Sequence, residues 1–555
     1  MHLKDLYVIF CAKLIRKNNQ NPCRRLSDMY RQNPDQISFV DFYLPFGGKL
    51  DPNNRWIKLA KFIPWHQFES EYSKNFSQNG QGAPAKSVRV ALGALIIKET
   101  LGASDEETVE HIRENPYLQY FLGMHEYTSN PPFDPSMFVH FRKRFNLESI
   151  NNINEAIVQH AIKHNLSKNN NHPDDKKDDT PKRDSPDKSD AGDLKNDDSN
   201  SSEKSVKKTA NKGKLLIDAT CAPADISFPT DIKLLNEGRE ILESIIDVLH
   251  EKRIDKSAKP RTYRKKARKD YLKVAKSRRP SASKRRKGIR QQLGYIKRDL
   301  MHIDTLLQTS ELTNLPKKQY IKLLVVRELY RQQLEMYDQK KHRIDDRIVS
   351  ISQPHVRPIV RGKAKSPTEF GAKLSASVVD GYTFLDRVSW DAYNESTDLI
   401  SQVKAYRERF GYYPESVHAD QIYRNRSNIK YCKDRNIRMS GPGLGRPRKE
   451  TETNRDELRE QRKQQYQDAV DRIEIEGKFG IAKRRYGLGL VMTKLAGTSE
   501  TVIAVTILVM NLMKFLRDII LSLFRRTVSG VWILFSQIDN FLIVIFSSQK
   551  CRMEL

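Results

Sequence analysis

Two short apolar runs, each ending on an aspartate, constrain this chain most: Lys214-Leu-Leu-Ile-Asp218 and Glu415-Ser-Val-His-Ala-Asp420. A strand of this kind delivers its last carboxylate to the C-terminal edge of a sheet, where ligand sites of α/β folds gather. Asp225 and Asp231 follow Asp218 closely, but they sit in coil broken by Pro223 and Pro229, and only Asp218 ends an apolar run. Between the two runs, alternation over Glu369–Val379 and Thr383–Trp390 reads as two strands. The intervening Asp380-Gly381 marks a hairpin. A helix over Asp398–Phe410, closed by Gly411, leads into the second run. A basic helix over Arg424–Arg435 and a strand over Asn436–Ser440 follow it, and Gly441–Pro447 ends them.

The stretch Asp471–Tyr486 completes the pattern. Arg472, Glu476 and Lys483 are four and seven residues apart, so on a helix they share one face. A carboxylate between two cations suits a metal and phosphate site, because the acid holds the cation and the bases hold the substrate's charge. A solvated helix with the same spacing is the plainer alternative. From Asp231 to about Ile351 the chain reads as polar helix, with almost no strand pattern. The order is then β, helical insertion, β, β, α, β, α, β, α. This predicts an α/β fold of ribonuclease H-like type with a basic helical insertion after its first strand. Such a fold puts Asp218 and Asp420 on neighbouring strands and brings Glu476 over them, 56 residues after Asp420. Three converging carboxylates suit two Mg²⁺ ions.

The net charge of +29, with a pI near 9.7, asks for a polyanionic partner. Nucleic acid is the default and an anionic membrane surface the alternative. Arg261–Arg290 carries fifteen Lys and Arg against the single acid Asp270, about half of the whole excess. So many like charges repel one another without a counter-anion. Phosphate contact is therefore expected there, through Arg264, Lys265, Lys266, Arg268 and Lys269. Five scattered cysteines with no C-x-x-C pair argue against a disulfide framework or zinc knuckle and fit a reducing cytosol. Leu6–Ile15 is interrupted by Lys13 and lacks a cleavage motif, so it does not read as a signal peptide.

Ahead of the first strand, amphipathic spacing predicts a helix over Lys86–Thr100, a capping box at Ser104 and Glu107 opens Asp105–Glu114, and Ser136–Phe145 ends in His140, Arg142, Lys143 and Arg144. An all-helical N-terminal domain over 55–165 follows, serving DNA binding or simple packing, after an extension over 1–54. Residues 166–212 hold almost no large apolar side chains and read as a disordered linker. The catalytic domain is placed at 213–520, with its insertion at about 232–355, and an apolar tail at 521–555. Thr527–Gln549 is long enough to span a bilayer, but its Asp539 argues against a span.

The segments GAPAKSVRVALGALIIKETLGASDEETVEHIRENPYLQYFLG and PPFDPSMFVHFRKRF resemble the N-terminal domain of a class of bacterial insertion-sequence transposases. LLIDATCAPADISFPTDIKLLNEGRE, VHADQIYRNRSNIKYCKDRNIRMSGPGLGRP and EGKFGIAKRRYGL resemble the catalytic domain of DDE transposases, and the likeness covers most of 55–517. It implies that Asp218, Asp420 and Glu476 bind two Mg²⁺, with Mn²⁺ able to substitute. Arg472 and Lys483, with Arg484 and Arg485 beside them, would contact DNA. The reaction implied is hydrolysis at the element's ends, then attack of a 3′-hydroxyl on target DNA. The family's last acid sits in a Tyr-x2-Arg-x3-Glu-x6-Lys motif; here Ala469 holds the tyrosine position, and Tyr466 lies one turn earlier. Double-stranded DNA (terminal inverted repeats and target), a homodimer or higher oligomer in the DNA complex, and a bacterial cytoplasm near the nucleoid are the expected partners and place. His418 reads as a packed histidine, and Gly445-Arg446-Pro447 as a loop rather than a minor-groove hook. The rivals are a DNA-binding descendant no longer catalytic and a basic structural or RNA-binding protein.

Overall fold

The computed structural model describes residues 38, 40–44, 48–76, 84–169, 210–251, 258–308, 314–360, 368–446, 448–522 and 524. The expected extension, linker and apolar tail lie largely outside the described residues.

Among the described residues, seven helices come first: α1 (Arg55–Phe62), α2 (Trp65–Ser73), α3 (Val88–Leu101), α4 (Asp105–Glu114), α5 (Pro116–Phe121), α6 (Met137–Arg144) and α7 (Leu147–Asn169). Ser87 caps α3, and Gly102 closes it in the left-handed region at φ 68°. Buried residues surround α3 on nearly every side, which makes it the centre of the bundle. The capping box of α4 is complete: Ser104 N–H donates to Glu107 Oε2 (2.8 Å), and Glu107 N–H to Ser104 Oγ (3.1 Å). The basic end of α6 is partly spent on packing. Arg142 is buried and forks onto Asp105, and the Arg144 guanidinium stacks over Phe76 at 4.5 Å.

The sheet begins with β1 (Lys214–Pro223). Helices α8 (Asp231–Glu251), α9 (Arg264–Ala275), α10 (Ala282–Leu307) and α11 (Lys317–Gln339) follow, and then β2 (Arg357–Val360), β3 (Thr368–Val379) and β4 (Tyr382–Ser389). After α12 (Leu399–Phe410) come β5 (Ser416–His418), α13 (Arg426–Lys433), β6 (Arg438–Met439), the long α14 (Arg455–Arg485) and α15 over residues 496–522. The sheet order is β2-β3-β1-β5-β6, with β4 also paired to β3. β3 is antiparallel to β1, while β1, β5 and β6 run parallel. Asp380 and Gly381 both take positive φ (49° and 76°), the backbone of a type I′ turn, as Asp-Gly requires. At Gly371 the strands cross so closely that a Cβ would lie 2.1 Å from the Ala222 carbonyl oxygen.

Two details differ from the sequence reading. β1 does not stop at Asp218 but continues to Pro223, because β3 pairs with it over the full stretch. The expected strand over Asn436–Ser440 shortens to Arg438–Met439.

The helices α8, α10 and α11 between β1 and β2 build their own core from Leu235, Leu242, Ile246, Ile296, Ile303 and Val326, among others. The N-terminal helices instead share one core with α15 (Ile503, Leu508, Leu512) and the sheet (Ala222, Leu374, Leu385). Asparagines cover the outer edge of β4: Asn511 binds both the Thr383 N–H (2.9 Å) and carbonyl (2.7 Å), and Asn151 donates to the Leu385 carbonyl (3.1 Å). An edge that would otherwise invite another strand is thereby satisfied.

Candidate active site

The parallel register of β1 and β5 fixes the first two acids. Lys214, Leu215 and Leu216 pair with Ser416, Val417 and His418. Asp218 and Asp420 lie two residues further on, at matched positions of neighbouring chain paths and on the same face. β5 ends at His418 while β1 runs on, so a notch opens beside Asp218. Asp420 caps the single turn Gln421–Tyr423, accepting from the Gln421 N–H at 2.7 Å.

Helix α14 brings the third acid. Ile475 and Phe479 pack on Leu216, Ala376 and Val378, while the Lys478 ammonium donates to the Gly381 carbonyl at 2.6 Å. That contact turns the stripe Arg472–Glu476 over the notch. Arg472 bridges the acids, with one nitrogen 3.5 Å from Asp420 Oδ1 and another 3.5 Å from Glu476 Oε1. Asp420 and Glu476 remain more than half exposed, so a large substrate can reach them. Asp218 is the sheltered member. Burial pushes its carboxyl up to about 6, the Ala219 N–H and Arg472 oppose the shift, and Glu395 and Asp420 add to it.

The donors are all carboxylate oxygens, the set that hard divalent cations prefer. An arginine that spans two of the acids shows that they stand close enough to share one positive charge. Carboxylates so placed suit a divalent cation, with Asp218 set beside Asp420 by the register of β1 and β5.

One turn back along α14 the helix is pinned to the sheet. Asp468 takes a fork from Arg438 (2.8 and 2.9 Å), Asp471 takes Lys214 (2.7 Å), and the buried His418 sets Nδ1 3.6 Å from Asp468 and 3.8 Å from Asp471. Ligand atoms of these three residues lie within 4.8 Å of one another. Both acids are already neutralised by cations, and His418 Nε2 meets Ser416 Oγ at 2.9 Å, so the group acts as a buttress for the helix. The sequence reading missed it, although Asp468 lies four residues before Arg472 on the same stripe.

Lys483 stands two turns beyond Glu476, half-buried, with Arg484 and Arg485 exposed behind it and Arg485 over the Tyr486 ring at 5.5 Å. Tyr466 is 74% exposed and six residues from Arg472, about 120° around the helix from that stripe, so it does not point where a side chain at Ala469 would point. In the insertion, Arg264 is turned inward to Asp247 and the Glu243 carbonyl (2.8 Å). Lys265, Lys266, Arg268 and Lys269 are exposed, and all but Lys266 line one groove with Lys273, Lys276 and Lys284.

A transposase DDE domain model matches residues 417–513, the span that holds Asp420, Arg472, Glu476 and Lys483. A second transposase domain model (DUF772) matches 45–144, the N-terminal helices. Together the two matches support a DDE transposase of insertion sequences. Asp218 lies outside both matches, and its place in the centre rests on the register of β1. An uncharacterized protein, ORF8 in the nfe locus of Rhizobium meliloti, is 28% identical over 141 residues, 25% of this chain and 61% of that protein; the chain thus spans about three-fifths of that relative's length. No solved structure matches. Among the described residues, no helix is long and apolar enough to cross a membrane.

Proposed function

We propose that the chain binds the two DNA ends of its insertion sequence, cuts them and joins them to target DNA in a metal-dependent reaction on a ribonuclease H-like catalytic domain. The matched register of Asp218 and Asp420, with Glu476 held over them, carries this reading. Asp218, Asp420 and Glu476 would hold two Mg²⁺, with Mn²⁺ able to substitute, and such ions supply Lewis-acid charge on the phosphate and a more acidic water or hydroxyl. Arg472 would exchange its carboxylate partners for a DNA phosphate once cations occupy the acids. Lys483, Arg484 and Arg485 extend that positive track along the helix. Phosphodiester exchange asks little more of a protein than position and charge.

The helical insertion after β1 would grip the duplex by phosphate contact through Lys265, Arg268 and Lys269, with Lys266 on the helix flank. Arg264 would serve the fold of the insertion. Two element ends must meet, so a dimer on DNA is part of the proposal, as is a cytoplasmic, nucleoid-bound location. The test is nicking of duplexes that carry the element's ends, with Mg²⁺ and with EDTA. Metal-dependent nicks at the ends support the reading. Selective binding with no cleavage under any metal would instead mark a descendant that has lost catalysis.

A further inference from the structure

The notch beside Asp218 holds more polar chemistry than three acids and an arginine require. Glu395 opens a single turn, Glu395–Thr397, after β4. Its Oε2 lies 3.2 Å from the Lys373 ammonium, which also donates to the Tyr393 carbonyl at 2.8 Å. Asn428 clamps this turn to the one that Asp420 opens, donating to the carbonyls of Ser396 (2.8 Å) and Tyr423 (2.9 Å). Tyr423 is fully buried, and its hydroxyl has no hydrogen-bond partner among the described residues. After burial, the charge that acts on this phenol most is Glu395, and Asp218 is next. A buried hydroxyl normally finds a partner, and this one stands on the turn that Asp420 caps, which Asn428 clamps to the turn that Glu395 opens.

We propose that Glu395 is a fourth acid of the centre, a positioning residue that acts with the Tyr423 hydroxyl on the hydration shell of a cation held at Asp218. The proposal rests on the metal-dependent reading of Asp218, Asp420 and Glu476. Lys373 is the counter-charge of Glu395 before a cation arrives, and it competes with that cation. Partners one shell out from a metal typically change its affinity about 10–100-fold.

The probe is Mn²⁺ alone, titrated into the full chain and followed by loss of the free-ion electron paramagnetic resonance signal. Melting curves first establish that each variant folds. Glu395→Gln is expected to weaken Mn²⁺ binding about tenfold, Tyr423→Phe to weaken it too, and Lys373→Met to tighten it. A merely structural ion pair would not give opposite signs for its two members. If Glu395→Gln binds like the parent while Asp218→Asn loses binding, the fourth acid is refuted and the three-acid centre stands. If Lys373→Met weakens binding as Glu395→Gln does, the pair is a structural tie and the proposal also fails. A parent that shows no Asp218-dependent Mn²⁺ binding would sink the underlying reading instead.

Discussion

Replacing Lys265, Arg268, Lys269 and Lys276 together by alanine should flatten the salt dependence of DNA binding. All four line one open groove on α9 and its end, with Lys273 and Lys284 beside them. From Lys265 to Lys276 the helix rises about 16 Å, a length over which a duplex presents roughly ten phosphate charges. Each phosphate contact contributes about 0.9 to the slope of log K against log salt, so four are worth about 3.6. Between 50 and 200 mM salt the parent should therefore lose about a hundredfold more affinity than the variant. Arg264→Ala is the control. Its guanidinium is held by Asp247 and the Glu243 carbonyl, so its loss should lower the melting temperature and leave the slope within about one unit of the parent's. Fluorescence anisotropy on one labelled duplex across a salt series reads both slopes. An unchanged slope in the quadruple variant would refute phosphate contact at this groove.

Other consequences follow from buried polar groups and close packing. Asp299 in α10 is fully buried, neither of its oxygens has a hydrogen-bond partner among the described residues, and burial first, then Glu243, pushes its carboxyl up to about 7. A raised acid pKa means that the folded state holds the proton longer. Stability from Asp299 is thus present at low pH and lost as pH rises from about 4 through 7, by on the order of 4 kcal/mol. Asp299→Asn should melt with a smaller fall between pH 5 and 8 than the parent; parallel curves would contradict this. Gly371→Ala forces a Cβ against the Ala222 carbonyl and should cost about 3 kcal/mol or prevent soluble expression, judged by thermal denaturation. Asn511→Leu strands the Thr383 N–H and the Asn154 Oδ1 and leaves the Thr383 carbonyl with only the Asn154 amide, and should cost about 3 kcal/mol and promote aggregation in light scattering. A parent-like melting curve for either variant would refute its argument.

The parts legible in the sequence were those with a local cause. Asp380-Gly381 specifies its turn by itself, Ser104 and Glu107 cap their helix by themselves, and the alternation of Glu369–Val379 reports a strand whichever partner it finds. Arg472, Glu476 and Lys483 share a face because 3.6 residues make a turn. The parts that were not legible depend on distant pairing. Nothing within Lys214–Pro223 says that β3 will carry the strand past Asp218. Nothing near Arg264 says that its partner is Asp247, seventeen residues earlier, while Lys265 beside it faces outward. Glu395 stands in a Pro-free, strand-free stretch with no periodic signal, and only the fold lays it against the turn after Asp420. His418 read as packed, and it is packed, but its two aspartates became visible only once α14 crossed β5.

The most direct test of the three-acid centre is strand cleavage by the parent and by Asp218→Asn, Asp420→Asn and Glu476→Gln, each assayed on end-bearing duplex in Mg²⁺ alongside DNA binding. Each substitution alone should abolish cleavage, and binding should stay within a few fold of the parent's because the groove on α9 is untouched. Near-parent cleavage by Asp218→Asn would contradict the account most sharply, since it would show that matched register beside Asp420 does not make this aspartate part of the centre.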